Sequence, residues 1–159
     1  MMGLPRRREG AKKWDENAIA KVVVEEALSL HKELGPGLLE SVYEVLLADS
    51  LSELGLGVCR QVPVPVVFRG KTFTEGFRAD LVIENKVCIE LKSATQFSKA
   101  DPKQLRTYLR LLNFKLGLLI NFGSELLKDG IIRVVNGLEN DPYSPRLRAF
   151  APSREAQKP

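Results

Sequence analysis

Apolar residues recur at helical spacing once the chain passes Asp15. Ile19, Val22, Val23, Ala27, Leu30 and Leu34 define one face, which Gly35-Pro36-Gly37 ends. Asp15 stands where a helix N-cap belongs. A second helix is expected over about residues 38–54, stopping at Gly55-Leu56-Gly57, with Leu39, Val42, Leu46 and Leu47 packing on a sheet. The period then shortens. Residues 58–68 alternate loosely, and Pro63 and Pro65 remove ladder donors, which suits an edge or irregular strand. Arg69-Gly70-Lys71 makes a turn, and residues 72–83 form a strand with a bulge or bend at Glu75-Gly76. After a polar stretch, Asp101 as N-cap and Pro102 at the first position open another helix, carrying Leu105, Leu109 and Leu112 on one side. Residues 116–122 are almost wholly apolar and read as a buried strand, followed by a turn at 126–130 and a last strand at 131–135.

The central stretch is Phe77 to Lys92. Two runs rich in Val, Ile and Leu flank Glu84-Asn85-Lys86, a polar trio of the kind that closes a β-hairpin. If Ile83 pairs with Val87, antiparallel counting sets Asp80 opposite Glu90 on one face. Alternation puts Glu90 and Lys92 on one side, about 7 Å apart along the strand, and Leu91 on the other. Two carboxylates and an ammonium therefore converge at the end of a hairpin. The other face, Leu81, Ile83, Val87, Ile89 and Leu91, is entirely apolar, and the acidic face also carries Val82 and Cys88, as in a sheet covered on both sides.

Facing carboxylates repel, and burial raises the cost of keeping both ionised. A divalent cation resolves this. Mg²⁺ takes oxygen ligands and leaves room for water and substrate phosphate, so Asp80, Glu90 and the main-chain carbonyl of Leu91 are candidate ligands. Lys92 is then placed to steer a metal-bound water and to offset charge on a phosphate. The chemistry suggested is phosphodiester hydrolysis. The same three charges also describe an ordinary surface salt-bridge cluster, worth little.

Asp80 with Glu90-Leu91-Lys92 resembles the signature of the PD-(D/E)XK nuclease superfamily. Gly37-Leu38-Leu39-Glu40-Ser41-Val42-Tyr43 is similar to the motif of the GxxExxY family within it, and the resemblance runs from about residue 19 to 135, taking in His31 to Gly37 and Gly117 to Phe122. It implies an α/β, three-layer nuclease-like fold, with a mixed central β-sheet flanked by helices, and a Mg²⁺- or Mn²⁺-dependent nuclease activity. It places Glu40 facing the metal, as a ligand or holder of bound water, where the alternative is a first-turn acid complementing the helix dipole. Tyr43, one turn on, packs or orients Glu40. Gln104 and Tyr108 share a helix face, and the resemblance to exonuclease-like branches assigns the Gln to the active site and the Tyr to its support. Arg78 is a candidate phosphate contact or a surface ion-pair partner. His31, near a helix C-terminus, is read as a helix-end or packing residue.

Composition narrows the classes. The chain has 159 residues, 44% hydrophobic and 28% charged, enough for one domain over 15–136 with a basic leader at 1–14 and an irregular, proline-bearing tail at 137–159. No apolar run approaches a membrane span and no signal peptide is apparent, so the expected location is cytoplasmic. Cys59 and Cys88 lack CxxC spacing and read as reduced core residues, and one histidine argues against a His/Cys zinc site. The net charge of +4 permits a polyanionic partner; nucleic acid is expected, with DNA favoured, and a homodimer is left open. Arg6-Arg7-Arg8 and Lys12-Lys13 could touch a phosphate backbone, although a solvated tail is the blander reading. The competing function is a nuclease-derived fold that binds nucleic acid or protein without catalysis.

Overall fold

A computed structural model describes residues 14–139. Residues 1–13 of the basic leader, and the tail beyond residue 139, lie outside the described residues. Two helices, α1 (Glu16–Leu34) and α2 (Glu40–Glu53), precede β1 (Val58–Phe68), β2 (Lys71–Ile83) and β3 (Val87–Lys92). Then come α3 (Ala100–Leu112), β4 (Leu116–Asn121), a 3-10 turn at Leu127–Gly130 and β5 (Ile131–Val135). The five strands form one sheet in sequence order. All neighbours are antiparallel except β3 and β4, which the α3 crossover makes parallel.

The sheet is covered on both faces, which explains why its middle strands are apolar throughout. Leu81, Ile83, Val87, Ile89, Leu91, Leu116, Leu118 and Ile120 pack with α1 and α2 residues such as Ile19, Val23, Tyr43 and Leu47. Val82, Cys88 and Leu119 pack with Leu105, Tyr108 and Leu109 of α3 on the other side. The structure thus has the α/β three-layer arrangement with a mixed sheet.

The local signals act as expected at most joints. Asp15 accepts the Ala18 amide at 2.7 Å, capping α1. Glu84 and Asn85 both take left-handed backbone angles, φ 53° and 54°, and Lys86 N donates to Ile83 O at 3.0 Å, closing the β2–β3 hairpin with Ile83 opposite Val87. In the β1–β2 pair the register slips where Val64 faces Phe77 and Val66 faces Phe73, so the extra residues of β2 include Glu75-Gly76. β1 is an edge strand. His31 is buried, its Nε2 2.8 Å from Ser124 O, and packs as a helix-end residue.

Two expectations need correction. Leu39, the N-cap of α2, and Val42 and Leu46 on the helix are exposed, Leu39 by 74%, and only Leu47 of the expected quartet reaches the core. The buried stripe is Tyr43, Glu44, Leu47, Ala48 and Leu51. The helix is turned that way because the Tyr43 ring stacks on Phe122, centroids 4.2 Å apart, and Glu44 finds partners on β1. On α3 the helix begins at Ala100, so Asp101 lies inside the first turn. Its Oδ2 accepts the Ser98 amide at 2.8 Å, and the Ser98 hydroxyl accepts the Ala100 amide at 3.2 Å.

Candidate active site

The β2–β3 ladder stops at Leu81 opposite Ile89, one step short of the acidic pair. There the side chains take over from the backbone. Asp80 N donates to Glu90 Oε1 at 3.1 Å, and Leu91 N donates to Asp80 Oδ2 at 2.8 Å. Each carboxylate satisfies a main-chain donor of the opposite strand, so the two acids are interlocked and aimed by the hairpin itself.

Asp80 also marks a break in strand alternation. Ala79 belongs to the α3-side core and Leu81 to the α1/α2 side, although alternate residues should share a face. On β1 the same break falls at Gln61, between Cys59 and Val62, which both pack toward α3. Gln61 has φ 52° in the midst of a strand. The kink lets Asp80 line a cleft of about 220 Å³ with Glu40, Ser41, Glu44, Gln61 and Leu91.

Glu40 is delivered to that cleft by the corner between α1 and α2. Gly35 supplies the φ of 70° that ends α1, and the Tyr43 hydroxyl donates to Gly35 O while accepting Leu38 N at 3.2 Å. Ser93 Oγ, just past β3, donates to Leu38 O at 2.9 Å. The corner is therefore pinned beside the end of β3, where Lys92 lies. Tyr43 is fully buried and acts by packing and holding this corner.

Glu90 is not a wall of the cleft and is only 7% exposed. Burial first, and then the charges of Asp80 and Glu40, push its pKa up to about 8, against relief from the Asp80 amide and Lys92. Burial likewise raises Asp80, aided by Glu44 and opposed by the Leu91 amide, Gln61 and Lys92. Lys92 Nζ is 3.9 Å from Asp101 Oδ1, a long contact that ties the strand end to α3. Tyr108 is buried against Phe77, and desolvation followed by Glu90 pushes its hydroxyl up to about 12. Cys88 is buried beneath the acids with its thiol pushed well up, chiefly by desolvation, and both cysteines are free.

The structure thus gathers Asp80, Glu90, Lys92, the Leu91 backbone and Glu40. Arg78 is exposed and donates to Gln61 O at 3.3 Å, bracing the kink. Gln104 is exposed on α3, one turn before Tyr108, and does not line the cleft.

Three residues that sequence reasoning passed over also shape the site. Glu44, 5% exposed, accepts Arg60 Nε at 3.2 Å and Nη2 at 2.9 Å on one oxygen and Gln61 Nε2 on the other. Gln61 Nε2 also reaches Asp80 Oδ1 at 3.2 Å, so one amide bridges two carboxylates. Asn121, 1% exposed, pins the loop after Lys92: its Oδ1 accepts Ala94 N at 3.0 Å and Gly123 N at 3.1 Å, and its Nδ2 donates to Ala94 O at 2.9 Å. A buried polar residue at the end of an apolar strand was the available signal for Asn121.

A family model for the PD-(D/E)XK nuclease superfamily matches residues 17–134. The chain belongs to the PD-(D/E)XK nuclease superfamily. No curated protein matches it. Among solved structures, the crystal structure of SSO0001 is similar at 19% identity and a TM-score of 0.45, over 88% of this chain and 70% of that one.

The donor chemistry of this nuclease-superfamily site fits a hard divalent cation. Among the described residues no three His, Cys, Asp or Glu side chains form a closed cage. Mg²⁺ does not require one, since it is usually held by one or two carboxylates with water and substrate phosphate. A glutamate whose ionisation is suppressed first by burial and then by a neighbouring aspartate is the arrangement that a cation would relieve.

Proposed function

We propose that this superfamily member is a metal-dependent nuclease of the GxxExxY type, hydrolysing phosphodiester bonds of nucleic acid, with DNA the favoured polymer. The observation that carries the reading is the interlocked Asp80–Glu90 pair, held at a hairpin end with Glu90 pushed up to about 8. Asp80, Glu90 and the Leu91 carbonyl would hold Mg²⁺ or Mn²⁺, with Glu40 at the cleft wall to bind a coordinated water. When bound, the ion acidifies water and polarises the phosphate. Lys92 stabilises the added negative charge on the phosphoryl group and positions the attacking water. Glu40 and Lys92 reach the site from different elements, so the α1–α2 corner and the β3 end must stay docked for the two to act together. Gln104 and Tyr108 belong to the substrate side of α3, where Tyr108, buried and protonated, supports Glu90 and Gln104 contacts the nucleic acid. Arg78 holds the kink and contacts phosphate.

The test is digestion of single- and double-stranded DNA and RNA with Mg²⁺, Mn²⁺ or chelator. The parent is compared with Glu90→Gln, Lys92→Ala and Glu40→Gln. Metal-dependent cleavage by the parent, lost by at least a hundredfold in Glu90→Gln and Lys92→Ala, is the expected result, in line with the scale of electrostatic contributions to catalysis. Binding without cleavage, or equal cleavage by all four proteins, refutes the reading. In the first case the non-catalytic module takes its place.

A further inference from the structure

β1 and β2 run 11 and 13 residues, yet β3 pairs with β2 only from Leu81 to Ile83. Beyond the slip at Val64 and Val66 the two strands continue as a ribbon whose residues 71–76 are all exposed. Such a ribbon gains little from burial and is marginal on its own. Even so, its tip displays Val67 at 67%, Phe68 at 59% and Phe73 at 45% exposure. Apolar rings of this size on a water-facing hairpin need a reason beyond packing.

The register sorts the tip by face. Phe68 is opposite Lys71 and Val66 opposite Phe73, so Phe68, Lys71 and Phe73 stand on one face, while Val67 and Thr72 take the other. Arg69 and Gly70, with φ 50° and 75°, form the turn, and the Arg69 guanidinium sits 5.0 Å above the Phe68 ring. Two rings and two cations therefore share one end of the ribbon, against a single acid, Glu75. Rings with cations between them suit nucleotides: each ring offers a stacking platform for a base and each cation a phosphate contact. A duplex keeps its bases stacked on each other, so a ring reaches them only by prying a base step apart at a cost in stacking energy, whereas unpaired bases stack on it freely.

We propose that the β1–β2 ribbon is a nucleic-acid arm that binds unpaired nucleotides, which makes the substrate class of the site single strands, or the unpaired segments of larger substrates. The inference rests on the nuclease reading for its polymer, and adds which form of that polymer is taken. Gly70 and Asp80 are ten steps apart along the chain, so the tip stands up to roughly 30 Å from the acids. Only a strand long enough to cover that distance engages both.

The experiment measures the Kd of labelled oligonucleotides by fluorescence anisotropy in chelator, for a long single strand, the matching duplex and a tetranucleotide, each as DNA and as RNA. The proteins are the parent, Phe68→Ala/Phe73→Ala, Phe68→Trp/Phe73→Trp, and Arg69→Ala/Lys71→Ala, with a thermal melt of each to show that it is folded. Expected is a loss of roughly tenfold or more for the double alanine variant on the long single strand, given the usual worth of a stacked base. The tryptophan pair retains affinity, the tetranucleotide, too short to reach from the tip to the acids, binds the parent more weakly than the long strand, and the charge pair lowers the salt dependence of binding. Folded alanine variants that bind the long single strand like the parent, or that lose as much on duplex as on single strand, overturn the proposal. A parent that binds none of the polymers overturns it together with the nuclease reading. A parent that binds but never cleaves with metal removes the nuclease reading alone and leaves the arm to be judged on its own variants.

Discussion

Holding Glu90 ionised in the metal-free protein is costly, and the cost fixes a pH signature. Its carboxyl stands at about 8 in the folded chain against an ordinary value of 4.5. Between those values the folded protein binds more protons than the unfolded chain, so stability is greatest at low pH and falls as pH rises, levelling off above about 8. At about 1.4 kcal/mol per pKa unit, the displacement sets a ceiling of roughly 5 kcal/mol on the loss. Asp80 is raised by its own burial and by Glu44, so the relief from removing the Glu90 charge falls on Glu90 itself. Glu90→Gln keeps an oxygen to accept the Asp80 amide and removes the charge.

Urea denaturation in chelator, followed by circular dichroism from about pH 5 to about pH 8.5, compares parent and variant. The difference between their curves isolates the glutamate from other titrating groups. Near pH 5 they should be close, and by pH 8 the variant should be more stable by several kcal/mol, up to roughly 5. Adding Mg²⁺ or Mn²⁺ at pH 8 should raise the parent and leave the variant nearly unchanged, because only the parent has the charge pair to offer. Parallel pH curves would refute the assignment of a suppressed, buried glutamate. A variant stabilised by metal as much as the parent would refute its part in holding the ion.

Further outcomes follow from single contacts. Tyr43→Phe keeps the stack on Phe122 and loses the hydroxyl that ties Gly35 to Leu38, and should cost about 1 kcal/mol by denaturation together with a drop in cleavage as Glu40 loosens. Glu44→Ala takes the acceptor from Arg60 and leaves Gln61 only Asp80, and should destabilise by about 1 to 3 kcal/mol in the same assay. Gly123→Ala puts a methyl 2.2 Å from Ala94 O, so the Asn121-pinned loop must move; faster amide exchange at Ala94 and a lower Tm are expected. Cys88, buried with its thiol pushed up, should resist thiol reagents in the native protein and react only on unfolding.

The core of the site was readable because a hairpin is a counting device. A three-residue polar loop set Ile83 against Val87, and the rest of the register followed to within one step of the acids. Alternation did the same for the two cores, sending Leu81 and Ile89 one way and Val82 and Cys88 the other. α2 was less readable for the opposite reason. Leu39, Val42, Tyr43, Val45, Leu46, Leu47 and Leu51 leave it apolar nearly all round, so its buried stripe is decided by the Phe122 ring and by Arg60 and Gln61, which lie outside the helix. Gln104 and Tyr108 do lie one turn apart, but spacing along a helix carries no information on its distance from a cleft.

Gln61 was illegible for a deeper reason: its role arises from a departure from strand geometry. A left-handed φ on a residue with a side chain costs of order 1 kcal/mol or more, and persists only where the surroundings enforce it. Here the enforcement is visible, with the Gln61 amide on Glu44 and Asp80 and its carbonyl taken by Arg78. The conformation turns Asp80 toward α2 while Glu90 approaches through its strand partner, so the strain and the site geometry are one feature. Substitution can separate the two contributions. Gln61→Ala and Gln61→Gly both lose the amide, but glycine takes the left-handed angle freely. In an ordinary strand alanine is favoured over glycine by about 0.5 to 1 kcal/mol. At position 61 the order should invert, with the glycine variant more stable by about 1 kcal/mol, while both cleave more slowly than the parent because Asp80 is no longer held. An alanine variant at least as stable as glycine would mean that β1 relaxes to a regular strand once the amide is gone, and that the side-chain network, not the neighbouring fold, creates the kink.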